Sequence, residues 1–196
     1  QEHFTWQKVT SAVAAIYEEV LHGMPAVSGT AAQLAILDRG FATVMKAVQQ
    51  SQQQLYPSIQ TASQVMSTCF ERGGKLLICG NGGSAADAQH FAAELVGRFD
   101  CPHRAGLPAI ALTSDTAFLT AWANDVGYEA IFSRQIETLA HPHDVVIGIS
   151  TSGRSQNVVA AFQAAKGLNL KTIALLGGDG GDLGALADVP IVVPAT

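Results

Sequence analysis

Lys75-Leu76-Leu77-Ile78-Cys79-Gly80-Asn81-Gly82-Gly83-Ser84-Ala85-Ala86-Asp87-Ala88-Gln89-His90-Phe91-Ala92-Ala93-Glu94-Leu95-Val96 is the stretch on which the fold turns. A short apolar run of strand length passes through a Gly-rich turn into a segment of helical composition, so strand, loop and helix follow one another directly. Downstream the pattern repeats. Strands are expected at Pro108–Leu112, Val145–Ile149, Thr172–Leu176 and Val189–Val193, with a helix opening at Phe118–Trp122 and another at Asn157–Lys166. Strands that are apolar throughout and separated by helices imply a parallel sheet covered on both faces. The expected class is α/β, a three-layer sandwich around a five-stranded parallel sheet.

Upstream, Ala31 to Arg72 reads as two helices with Gly40 and Pro57 as the breakers; the second runs through Ile59, Ala62, Val65, Met66 and Phe70 to a stop at Gly73-Gly74. Val9, Val13, Ile16, Val20 and Leu21 recur at helical spacing, and the Gly- and Pro-containing segment Gly23 to Thr30 follows as a linker. The expected organisation is an N-terminal helix and linker over residues 1–30 and one main domain over 31–196.

The 196 residues are 48% apolar and 14% charged, which suits a compact enzyme and not a disordered chain. A net charge of −5 with scattered Lys and Arg argues against a nucleic-acid partner. Cys69, Cys79 and Cys101 have no metal-ligand spacing, and their odd number points to a reducing, cytoplasmic compartment. No segment has the run of about 18 to 20 apolar residues that spans a bilayer.

The loops carry the chemistry. Gly80–Ser84 and Ser150-Thr151-Ser152-Gly153-Arg154-Ser155 each end a strand and open a helix, the arrangement that turns backbone N–H groups and a helix N-terminus toward an anion. Parallel sheets take ligands at the carboxyl ends of their strands, so both loops should meet at one edge. A phosphate is the expected ligand; the alternative is that the hydroxyls cap the helix near Asn157. Neither loop ends in the Lys-Ser/Thr of a P-loop, and Ala85 replaces the third glycine of a dinucleotide fingerprint. His90 and Glu94 share a helix face one turn beyond Asp87, as a metal-binding or acid/base pair or as a solvated pair. Asn124-Asp125 either bonds sugar hydroxyls or forms an Asx turn.

Three stretches resemble the phosphoheptose isomerases: Gly80 through Phe99; Ala123 through Tyr128 with Phe132-Ser133-Arg134-Gln135; and Gly148 through Asn157. The resemblance extends from about Leu34 to Thr196. It implies the flavodoxin-like SIS (sugar isomerase) fold and conversion of sedoheptulose 7-phosphate to D-glycero-D-manno-heptose 7-phosphate, the entry to bacterial heptose for lipopolysaccharide. It further implies that Ser84, Ser150, Thr151, Ser152 and Ser155 hold the phosphate, while Asn81, Gly82, Gly83, Asn124 and Asp125 contact the sugar. His90 and Glu94 are then two zinc ligands, with Glu94 also an acid/base group. The family continues past the last strand into a helix bringing a Gln and a His, so on this resemblance the zinc site is completed beyond Thr196. A homo-oligomer, by the family's pattern a tetramer, is the implied assembly. Phe4–Val9 with Ile16–Leu21 resembles instead the final helix of a GT-B glycosyltransferase, making residues 1–30 the tail of a preceding domain. The competing reading is a non-catalytic SIS module that binds a sugar phosphate or a replication-initiator protein. The ketol-isomerase domain of amino-sugar synthesis shares the phosphate loops but differs in the helix after the first strand.

Overall fold

The computed structural model describes residues 30–194. Of the helix and linker expected over residues 1–30, all but Thr30, and with them the glycosyltransferase resemblance, lie outside the described residues; Thr30 itself is helical. The chain divides into two compact units, Gln1–Lys46 and Ala47–Thr196.

Helix α1 spans Thr30–Gln54. Its Leu34, Leu37, Phe41, Val44 and Val48 recur at alternating steps of three and four residues, and each is 53–70% exposed. Such a stripe is the seam of a helix that packs lengthwise on another. Gly40 lies inside α1 and does not break it. The break falls at Leu55, because Pro57 stands in the first turn of α2 (Tyr56–Glu71), where a missing N–H costs nothing.

Five strands form one all-parallel sheet in the order β2-β1-β3-β4-β5: β1 Leu76–Gly80, β2 Ala109–Ala111, β3 Val145–Ser150, β4 Lys171–Leu176 and β5 Val189–Val192. Helix α3 (Gly83–Val96) follows β1, α4 (Thr116–Asp125) follows β2, α6 (Gln156–Gly167) follows β3, and α7 (Gly181–Leu186) follows β4. Three elements were not foreseen. A 3-10 turn at Tyr128–Ala130 leads into α5 (Ile131–Leu139), and α7 grows out of the Gly-rich segment after β4.

Because strand side chains alternate, each face of the sheet builds its own core. Leu77, Cys79, Val146, Ala174 and Leu176 pack under Ile131, Phe132 and Ile136 of α5 and Val158, Ala161 and Phe162 of α6. On the opposite face Leu76, Ile78, Ile147, Ile173 and Ile191 meet Ala62 and Cys69 of α2 and Ala88 and Ala92 of α3. Gly148 is required by this packing, since a Cβ there would lie 2.5 Å from a ring carbon of Phe162. Burial pushes the Cys79 thiol up to about 12 and the Cys69 thiol, also beside Asp144, up to about 11, so neither is a thiolate at neutral pH.

The amino-terminal edge of the sheet is fastened by two copies of one device. Asp144, just before β3, accepts from the backbone N–H of Lys75 at 2.8 Å and from its ammonium, and also from the N–H of His141. Asp188, just before β5, accepts from the backbone N–H and hydroxyl of Thr172 and from the Lys171 ammonium.

Candidate active site

β1 and β3 are neighbours, and the chain connections leave them in opposite directions across the sheet, to β2 on one side and β4 on the other. In open α/β sheets that switch point, at the carboxyl ends, is where a ligand crevice forms. The two loops expected to converge therefore do so: Asn81–Ser84 and Thr151–Ser155 leave adjacent strand ends. The first loop is also tied to the helix that follows the second, through hydrogen bonds between the Asn81 and Asn157 carboxamides.

The competing expectation, that the hydroxyls serve only as helix caps, does not hold. Ser155 occupies the N-cap position of α6, yet its side chain makes no capping bond; its Oγ lies 3.1 Å from Ser150 Oγ. Helix α3 begins behind Gly82, which has no side chain to cap with. Two helix N-termini of 14 and 12 residues thus present their first N–H groups uncapped by side chains at one sheet edge. Ser150 is buried and its Oγ accepts from the Gly153 N–H, while Thr151 and Ser152 are exposed on the rim and Ser84 is half-buried.

The turn after β4 braces the hydroxyl loop from behind. The N–H of Gly177 donates to the Thr151 carbonyl, and the N–H of Leu183 donates to the Gly153 carbonyl. Gly153 has φ +65°, and a Cβ there would land on the Gly180 carbonyl, so only glycine fits. Arg154 crosses to Asp179 in a two-pronged ion pair of 2.9 and 2.6 Å. The Arg154 hydrogen bonds, with the backbone N–H of Gly181, hold the Asp179 carboxyl down at about 2. The Arg154 charge is engaged by Asp179, so the loop offers an anion mainly neutral donors.

On α3, His90 Nε2 lies 3.1 Å from Glu94 Oε1, with side chains 75% and 40% exposed. The pair lines a groove of about 590 Å³ together with Asp87, Phe91, Leu95 and Phe99, and with Ile149 and Leu175 from β3 and β4. Ile149 directly precedes Ser150, so the groove reaches the end of the strand that carries the hydroxyl loop. Arg104, not singled out in the sequence, donates to the carbonyls of Glu94, Leu95 and Gly97 and closes the C-terminus of the Glu94 helix. An imidazole and a carboxylate are suitable zinc donors, but they make two. No group of three or more His, Cys, Asp or Glu able to hold a metal occurs among the described residues. A second concavity of about 430 Å³ opens at the amino-terminal edge beside Arg72, His143 and Asp144, away from both loops.

Asn124 and Asp125 are the last two residues of α4 and not an Asx turn; the Asn124 amide donates to the Asp125 carboxylate at 2.9 Å. Three residues on, the Tyr128 hydroxyl reaches Asn81 Oδ1 at 3.0 Å, which brings the end of this segment to the same edge as the loops.

The SIS domain model matches residues 41–177, and 142 residues are 58% identical to the phosphoheptose isomerase of Geotalea daltonii, covering 72% of this chain and 73% of that protein. The chain belongs to the SIS domain family, among the phosphoheptose isomerases. A phosphoheptose isomerase of Helicobacter pylori is 48% identical over 160 residues, 82% of this chain and 83% of its own. The solved phosphoheptose isomerase from Neisseria gonorrhoeae superposes with a TM-score of 0.78 at 42% identity, covering 84% of this chain and 87% of that one. The corresponding structure from Francisella tularensis gives 0.80 at 39% identity over 83% and 86%. Among the described residues no helix is long and apolar enough to cross a membrane.

Proposed function

We propose that this chain isomerises sedoheptulose 7-phosphate to D-glycero-D-manno-heptose 7-phosphate. The observation that carries the reading is the pair of helix N-termini without side-chain caps that open at the adjacent ends of β1 and β3, with hydroxyls between them and Glu94 on one of the two helices. The phosphate binds the hydroxyls of Ser84, Ser150, Thr151, Ser152 and Ser155 and the N–H groups of both helix starts. Asn81, Gly82, Gly83, Asn124 and Asp125 bind the sugar.

The reaction moves the carbonyl from C2 to C1. A base takes a proton from C1, the C–H electron pair becomes the C1–C2 double bond, and O2 gains a proton, giving the enediol. Loss of the O1 proton and return of a proton to C2 completes the aldose. Glu94 carries the carbon-bound proton. His90 Nε2, 3.1 Å from Glu94 Oε1, orients it. Zinc, held by His90 and Glu94 with further donors from outside the described residues, would stabilise charge developing on the sugar oxygens.

The exposed apolar seam of α1 supports a homo-oligomer, by the family's pattern a tetramer, and the reading places the protein in the cytoplasm as a source of heptose for lipopolysaccharide. The test is a coupled assay with sedoheptulose 7-phosphate, with and without added zinc, on the full-length protein. Turnover supports the reading. Phosphate binding without turnover would place the chain with the non-catalytic SIS modules.

A further inference from the structure

Three separate segments carry the groups assigned to the substrate: the turn after β1, the hydroxyl loop after β3, and the end of α4. One side chain of the first is bonded to residues just beyond the other two. Asn81 Nδ2 donates to Asn157 Oδ1 at 2.8 Å, Asn157 Nδ2 donates back to Asn81 Oδ1 at 2.8 Å, and the Tyr128 hydroxyl donates to the same Oδ1 at 3.0 Å. Asn157 follows the hydroxyl loop as the second residue of α6, and Tyr128 opens the 3-10 turn after Asp125.

The donor and acceptor inventory limits what Asn81 can do. A carboxamide has two N–H groups and two acceptor lone pairs. Both lone pairs on Asn81 Oδ1 and one of its two N–H groups are used inside the protein, so its side chain has a single N–H left for a ligand, and that N–H points in a fixed direction. Asn157 is only 3% exposed, too buried to serve a sugar itself. A buried carboxamide with no ligand of its own, paired reciprocally to a residue at the site, has the placement of a support.

On the reading that the edge binds a sugar phosphate, we propose that Asn157 and Tyr128 are positioning residues: they hold Asn81 so that the turn after β1 keeps one geometry against the hydroxyl loop. Neither touches substrate. Both act through Asn81.

The experiment compares Asn157→Ala, Tyr128→Phe and the double variant in the full-length protein, measuring kcat, KM, melting temperature and the dissociation constant for inorganic phosphate. Asn157→Ala is expected to lower kcat by about 10- to 100-fold, the scale set by ångström-level misplacement of a binding group. Tyr128→Phe, at an exposed ring that folds without its hydroxyl, is expected to lower kcat by about 3- to 10-fold, the range of one hydrogen bond, with an unchanged melting temperature. The double variant should lose less than the product of the two, because both losses pass through one side chain. Multiplicative losses, or a folded Asn157→Ala and a Tyr128→Phe with wild-type kcat, overturn the proposal. So does a fall in melting temperature with kcat untouched. If the wild type binds phosphate but does not turn over the heptose phosphate, the isomerase reading fails, and the phosphate arm decides the positioning claim alone. It stands if both variants weaken phosphate less than multiplicatively and falls if they bind as wild type.

Discussion

The two edges of the sheet are held together by different chemistry. At the amino-terminal edge the fasteners are charged: Asp144 and Asp188 each take a backbone N–H and a lysine ammonium from the neighbouring strand. At the carboxyl edge the fasteners are amides, hydroxyls and close glycine contacts, and an exposed ion pair, Arg154 with Asp179, joins the hydroxyl loop to the turn after β4. The difference has a physical reason. A carboxylate facing the helix N-termini would occupy or repel an anion site, whereas neutral donors leave those N–H groups available. Asp144 and Asp188, the carboxylates that tie neighbouring strands together, sit at the edge away from the two loops.

The largest expected effect belongs to Glu94, the acid/base group of the proposed reaction. Glu94→Gln should lower kcat by about 10³-fold or more while sugar-phosphate affinity stays close to wild type, measured by steady-state kinetics and calorimetry. Unchanged isomerase kinetics would remove Glu94 from the mechanism. Gly153→Ala comes next, because it places a Cβ on the Gly180 carbonyl at φ +65°. It should weaken inorganic phosphate by about 10- to 100-fold, since the hydroxyl loop has to move to accommodate it.

At the other edge the loss should be in stability and not in function. Asp144→Ala strands two backbone N–H groups and the Lys75 ammonium beside a nearly fully buried site, at a cost of about 3 kcal/mol. Asp188→Ala, at a carboxylate about 29% exposed, should cost about 1 kcal/mol. Both are read from denaturant midpoints, with kcat per folded molecule unchanged. The smallest effect belongs to the exposed ion pair. Asp179 titrates at about 2 in place of 3.8, so whatever it contributes is present above pH 3.8 and is lost as pH falls toward 2. In Arg154→Met its carboxyl titration, followed by NMR, should move up toward 3.8, with little change in melting temperature at neutral pH.

The strands were legible because each is an apolar run closed by Gly, Ser, Thr or Pro, and the two loops because four hydroxyls or three glycines in six residues stand out from the apolar runs around them. Helix α5 was not legible. It is nine residues long, has no side-chain cap behind Ala130, and alternates Ile131, Phe132 and Ile136 with Arg134, Gln135 and Glu137. Its Gln135 is held by tertiary partners, donating to the Leu112 carbonyl. Helix α7 was hidden by the glycines of Gly177–Gly181, and its start is fixed by the long-range bond from Leu183 to Gly153. At the site, Asn81 was expected as a sugar ligand only through the family resemblance. Its pairing with Asn157, 76 residues away, depends on β1 and β3 lying side by side, which no local pattern encodes. Arg104 escaped notice for the same reason, since a lone arginine in a loop reveals nothing of the carbonyls it covers.

The contrast between the edges is tested most directly by titrating inorganic phosphate into isotope-labelled protein and following every backbone amide. Amides of Asn81–Ser84 and of Thr151–Ser155 should shift together with one dissociation constant, while Lys75, Asp144 and Lys171 stay still. Shifts confined to the Lys75 edge, or two loops saturating at different concentrations, would contradict a single phosphate cradle.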